Sequence, residues 1–185
     1  MRTISLYTAL TAAAVLTLAG CGGAGAPDSG GAGDIPDDQA FVDYRPAGGQ
    51  YSLKVPEGWA RAESGGTVTF TDKLNTITVT LGTATAAPDK PAGQAELTAL
   101  GAKTSGFTAG TVSVVQRTAG QVLLVTYRAD AAPDPVTGKV VNDDVERYEY
   151  WHAPSALLIV ALAGAHGADN VDPWRTVTDS VRWLS

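Results

Sequence analysis

Strict alternation of apolar and polar side chains, set up at Tyr51 and resumed along most of the chain, constrains this sequence most. A period of two sends alternate side chains to opposite faces of an extended strand, whereas a helix would scatter them around its axis. "QYSLKV" puts Tyr51, Leu53 and Val55 on one face, and Pro56-Glu57-Gly58 then turns the chain into Trp59. "TVTF" offers Val68 and Phe70, and "TITVTL" alternates Ile77, Val79 and Leu81 with threonines, the pattern of a sheet with one wetter face. Beyond the Pro-rich link "AAPDKPAG" come "TVSVVQR", "QVLLVTYRA", "DVERYEYW" and "ALLIVALA", with "TAGQ" joining the first two as a hairpin. The apolar run Ala156 to Ala163 is bounded by Pro154-Ser155 and Gly164. Its length and its Ile159-Val160 pair make it a central strand rather than a buried helix.

Two segments break this pattern. Ala92 to Lys103 is alanine-rich with Leu97 and Leu100 at helical spacing, although Gly93 and Gly101 weaken a helix there. Near the end, Asp172 is placed to accept from the free N–H groups of a first turn, and Pro173 suits the first helical position. Trp174, Val177 and Val181 then share a face, with Trp183 as a further anchor. The order of three strands, helix, four strands, helix implies an α+β domain. Its antiparallel sheet of about six to seven strands has helices packed on it.

The amino-terminal part has a different character. Arg2 is followed by an apolar run from about Leu6 to Leu18 and then by small residues, the layout of a secretory signal over residues 1–20. The run is too short and too rich in threonine for a spanning helix. Leu18-Ala19-Gly20-Cys21 resembles the bacterial lipobox, and this resemblance implies that Cys21 receives a diacylglycerol and becomes the mature amino end. The thiolate is the nucleophile such a transfer needs, and several acyl chains together give stable attachment. An ordinary signal peptide followed by a stray cysteine is the alternative. Gly22 to Gln39, rich in Gly, Ala, Pro, Ser and Asp, has no apolar period and reads as a flexible coil spanning about 20–25 Å. The expected organisation is therefore a signal over 1–20, a lipidated cysteine and linker over 21–40, and one domain over 41–185.

Cys21 is the only cysteine, so the domain has no internal disulfide and must hold itself by its core; it is expected to be a monomer. Removing the leader deletes one basic residue and no acidic one, which moves the net charge from −6 to about −7. An acidic surface argues against nucleic acid and against a patch that clings to anionic head groups.

"YSLKVPEGW" (Tyr51 to Trp59), the later strand meander and "DNVDPWRTVTDSVRW" (Asp169 to Trp183) resemble the PsbP/Mog1-type fold. With the lipobox in front, they are similar to actinobacterial lipoproteins of the Lpq type. The resemblance implies an α/β/α sandwich around an antiparallel sheet, with mostly binding or assembly roles. It carries no catalytic residues over.

Candidate chemistry is sparse. His152 follows the strand "YEYW" and His166 sits in "GAHGADN", near Asp169 and Asp172. Three or four ligands at a metal spacing are missing, so neither metal nor cofactor is expected, and a chance surface site at His166 is weighed against helix capping by Asp172. Asn142, Asp143, Asp144 and Glu146 lack the ligand order of a calcium loop and read as a solvated turn before a strand. Ala132 to Asp143 is a long connection that could carry contacts. No GxSxG or SxxK is present, and Ser64-Gly65-Gly66 reads as a turn. Tyr148, Tyr150, Trp151, Trp174 and Trp183 are either core or the lining of a groove, with core favoured by their spacing. Two readings remain: a non-enzymatic, membrane-anchored domain binding an envelope protein or small ligand at the outer face of the cytoplasmic membrane, and a hydrolase or metal-dependent enzyme whose site assembles from distant residues.

Overall fold

A computed structural model describes residues 31–134 and 136–184. The signal segment 1–20 and Cys21 lie outside the described residues. Ten strands and two helices follow in the order β1 (Phe41–Tyr44), β2 (Tyr51–Pro56), β3 (Ala60–Ser64), β4 (Thr67–Asp72), β5 (Asn75–Thr83), α1 (Lys90–Gly101), β6 (Thr108–Arg117), β7 (Gly120–Asp130), β8 (Asn142–His152), β9 (Ala156–Ala165), α2 (Val171–Asp179) and β10 (Arg182–Trp183). Seven strands form one antiparallel sheet in the order β3-β4-β5-β9-β8-β7-β6, and β1-β2-β10 form a smaller one.

The apolar run "ALLIVALA" is β9, at the centre of the large sheet, with Leu158, Val160 and Leu162 wholly enclosed. Beside it, β5 buries Ile77 and Val79 and leaves Thr76, Thr78 and Thr80 half-exposed on the other face, as the alternation requires. The first face packs with α2 and the small sheet into one core, which includes Tyr51, Leu53, Val55, Tyr150, Trp174 and Val181. The opposite face is covered over β6 and β7 by α1, around Leu97, Leu123 and Val125. Gly93 makes that close approach: a Cβ there would stand 2.7 Å from Val112 and 2.9 Å from Leu123. The residue that weakens the helix locally is what lets it sit on the sheet.

Several expectations need correction. Five strands, not three, precede α1, because Phe41–Tyr44 and the wholly exposed Ala60–Ser64 pair as edge strands. α1 starts at Lys90, where Asp89 accepts from the Ala92 N–H at 2.9 Å. α2 starts at Val171, so Asp172 lies in its first turn and is not its cap. The preceding Asn170 makes no capping bond because its side chain is engaged elsewhere. Asn142 to Glu146 is strand β8, not a solvated turn, and Trp183 lies in β10.

Packing also starts before the expected boundary at residue 41. Ile35 is only 4% exposed and belongs to the main core. Its N–H donates to Asn170 Oδ1 at 2.8 Å, while the amides of Asn75 and Asn170 both donate to the Gly33 carbonyl. Asn170 Nδ2 also donates to Asn75 Oδ1 at 2.9 Å. Gly164 makes room for this clamp, since a Cβ there would lie 2.6 Å from Asn75 and 2.7 Å from Asn170. Residues 31–40 are thus strapped against the end of the sheet that carries the β4–β5 turn and the start of α2.

Candidate functional site

α2 crosses the large sheet with Trp174 and Val177 pointing down, and it leaves the β6–β7–β8 side of that face partly open. The result is a groove of about 380 Å³ floored by Thr126, Arg128, Asp144 and Glu146, with Asn170, Val171 and Trp174 along its other wall. Strand alternation aligns the floor: β7 and β8 pair Thr126 with Glu146 and Arg128 with Asp144, so all four side chains share one face. Leu124 and Tyr148 make the next rank.

Two hydrogen-bonded groups lie on this face of the sheet, one at the groove and one beyond it. At one end His166 Nδ1 lies 2.8 Å from Asp144 Oδ2, which also accepts from the Gly167 N–H at 3.1 Å. The Arg128 guanidinium stands 3.3 Å from His166 Nε2. A guanidinium can only donate, so Nε2 accepts, and the ring proton sits on Nδ1 and is donated to Asp144. Further along, Arg117 donates to the Tyr148 hydroxyl at 2.8 Å, and that hydroxyl donates to Glu146 Oε2 at 2.7 Å. Arg117 also donates to Thr178 of α2 at 3.2 Å and pairs with Asp179 at 3.7 Å. Burial, with the Glu146 hydrogen bond and charge adding to it, pushes the Tyr148 hydroxyl well above its usual range, so it remains a donor at all physiological pH values.

This arrangement supports recognition better than catalysis. A histidine base must offer a ring nitrogen to a nucleophile while a carboxylate orients the other. Here both nitrogens of His166 are engaged, one with Asp144 and one with Arg128. The groove presents one cation, Arg128, beside two carboxylates, Asp144 and Glu146, which suits a polar ligand of mixed charge. Among the described residues no group of three or more His, Cys, Asp or Glu side chains is placed to hold a metal, and no helix is long and apolar enough to cross a membrane.

The residues singled out in the sequence are distributed unevenly. His166 adjoins the groove, and its carboxylate partner is Asp144, not the nearby Asp169 or Asp172, because β8 and β9 pair Asp144 with Gly164. His152 is remote, stacked on Trp183 at 5.2 Å at the other end of β8. Tyr148, Tyr150 and Trp174 are core, Tyr150 donating to the Thr178 carbonyl at 2.8 Å. Trp151 is half-buried and donates to the Ala84 carbonyl. Ser64-Gly65-Gly66 is the β3–β4 turn, with positive φ at both glycines. Arg128 and Thr126 carried no signal in the sequence: each occupies a polar position of an alternating strand, and only the strand register brings them beside Asp144 and Glu146.

The chain has the PsbP/Mog1-like α+β fold, an antiparallel sheet with helices on it. It is similar to the solution structure of the cyanobacterial PsbP of Synechocystis, at 16% identity and a TM-score of 0.55, over 90% of this chain and 99% of that one. It is likewise similar to the Ran-binding protein Mog1p of Saccharomyces cerevisiae, at 12% identity and a TM-score of 0.54, over 80% and 97%. A Bacteroides thetaiotaomicron structure matches at 14% identity and a TM-score of 0.51 over 77% of this chain, which spans about half the length of that protein (48%). No family model and no curated protein matches the chain.

Proposed function

We propose that this protein is a non-enzymatic binding module of the cell envelope, held at the outer face of the cytoplasmic membrane by a lipid on Cys21. The groove beside α2 is its contact site. The observation that carries the reading is the floor of that groove, where Arg128, Asp144 and Glu146 share one face and both ring nitrogens of the adjoining His166 are engaged. Val171, 69% exposed on the groove wall, adds an apolar contact beside the charged row. A binding role in the same fold, that of Mog1p toward Ran, supports the reading.

The strap gives the module a direction. Only nine residues, Gly22 to Gly30, separate Cys21 from Gly31, so a cysteine fixed at the bilayer lies at most about 35 Å from the strap. The strap packs beside Lys73, Asn75 and Asp169, so the tether leaves the domain at that end of the sheet, the end that also carries Asp144 and His166. Confinement at the membrane raises the effective concentration toward envelope partners by geometry alone.

Two measurements test the proposal. Cys21→Ser is expected to abolish acyl labelling and move the protein from the membrane pellet to the soluble fraction; unchanged labelling rejects the anchor. Cross-linking of the native lipidated chain in membranes is expected to capture a partner, and Arg128→Glu with Val171→Asp should weaken that capture at least tenfold without lowering thermal stability by more than about 2 °C. Equal capture moves the contact away from the groove. Turnover of an ester or phosphate substrate that His166→Ala abolishes would establish the hydrolase reading instead.

A further inference from the structure

At the same end of the large sheet, but on the opposite face from the groove, lies a separate cavity of about 350 Å³. It opens between the β4–β5 turn and the chain that connects β7 to β8. Leu74, Pro133 and Val141 give it apolar walls, Thr76 contributes a hydroxyl, and the exposed Lys73 and Lys139 stand at its rim. Asp143 lines it too. The alternation of β8 places Asp143 there, because Asp144 faces the groove. Its cross-strand neighbours are Ala129 and Ala165, which offer no polar atom to its side chain.

Asp143 is only 8% exposed, and its Oδ1 is fully enclosed without a hydrogen-bond partner. The charged groups around it are Asp144 on its own strand, Asp134 and Lys139 from the connecting chain, and Lys73 from the β4–β5 turn. None forms an ion pair with it among the described residues. A buried carboxylate left in this way is costly unless something brings it donors or a positive charge.

We propose that this cavity binds a small aliphatic amine, its ammonium held by the Asp143 carboxylate and its carbon chain laid on Leu74, Pro133 and Val141. A charge-assisted hydrogen bond to a carboxylate is among the stronger contacts a small ligand can make. Methylene groups suit the apolar walls, and no aromatic ring lines the cavity to give a planar ligand a platform. The volume is at the small end for ligand sites, which fits a molecule of a few carbons. The lysines at the rim disfavour a second positive charge, so a monoamine is favoured over a diamine.

The acid–base behaviour of Asp143 supplies a readout. Burial, with the Asp144 charge adding to it, pushes its carboxyl up to about 6. The ammonium binds the ionised form, so affinity is full well above pH 6 and falls as pH drops through it. At pH 5 about a tenth of the carboxyl is ionised, which makes binding about tenfold weaker than at pH 8.

The test is a titration of the full chain in nonionic detergent micelles with n-butylammonium chloride, followed by amide NMR signals of Thr76 and Val141. Saturable shifts are expected at pH 8, about tenfold weaker at pH 5. Asp143→Asn, which keeps the shape and removes the charge, should bind at least tenfold more weakly at pH 8 while melting no lower than wild type. Butanol or butyrate binding as tightly as butylammonium, undiminished binding by Asp143→Asn, or no saturable shift at all would overturn the proposal.

Discussion

Arg147→Ala is expected to cost the domain about 1–2 kcal/mol more stability at pH 8 than at pH 5, the consequence of leaving a buried carboxylate without its partner. Arg147 on β8 holds two carboxylates: Glu149 Oε1 at 3.1 Å from its Nε, and Glu96 Oε1 of α1 at 2.7 Å from its Nη2. Glu149 is buried, and even with the guanidinium in place, burial and the nearby Glu96 push its carboxyl up to about 7. A carboxyl raised above its unfolded value near 4.5 contributes its stability fully below that value and loses it as pH rises through 7. The cost of Arg147→Ala should therefore be larger at pH 8, where Glu149, ionised in the wild type, either stays charged beside Glu96 with no counter-charge or takes up a proton. It should shrink at pH 5, where Glu149 is protonated in both proteins. Urea titrations at the two pH values decide it, and an equal cost at both would mean that Arg147 acts by packing alone. Replacing the pair together, with Arg147→Met and Glu149→Leu, should recover most of the loss, since an apolar pair of similar volume does not need its charges satisfied.

That ion pair also illustrates which parts of this protein its sequence discloses. β5 and β9 are legible because Ile77, Val79 and the run at Leu158 to Leu162 are selected for burial on strand spacing, and burial imprints a period. β3 is not, because "ARAES" buries nothing and is a strand only through its pairing with β4. β10 is two residues long, and its pairing of Arg182 with Ser52 joins positions far apart in the chain. The strap is hidden for a similar reason. A single apolar residue, Ile35, in a Gly- and Asp-rich stretch carries no period, and what fixes it is Asn170, more than a hundred residues away. The groove follows the same rule. His166 is conspicuous in the sequence for its chemistry, but its neighbours there, Asp169 and Asp172, are not its partners, because strand register supplies Asp144. Asp143 reads as solvated because it is charged and next to another charge, and it is buried only because β8 extends past it and the connecting chain folds over.

Trp174→Ala is expected to cost about 3–5 kcal/mol, as deletion of a large buried aromatic side chain does where the surroundings cannot collapse into the space. Trp174 is 7% exposed, and its ring lies over Gly164 so closely that a Cβ on that glycine would stand 3.2 Å from it. The space it would vacate is walled by the rigid centre of the sheet, where β9 cannot shift without breaking its ladders with β5 and β8. Both ends of α2 also depend on this packing. Its first turn carries the Trp174 N–H bond to the Asn170 carbonyl at 3.0 Å, and Asn170 holds the strap. Its last turn carries Thr178, which donates to the Trp174 carbonyl and accepts from Arg117. The variant should therefore lower the denaturant midpoint without changing the slope of the transition, since the surface exposed on unfolding stays nearly the same. Groove contacts should weaken with it, as Asn170 and Val171 on its wall lose the packing that positions them. A loss below about 0.5 kcal/mol would show that α2 is held by its hydrogen bonds and not by this side chain, and the groove would then be expected to survive the substitution intact.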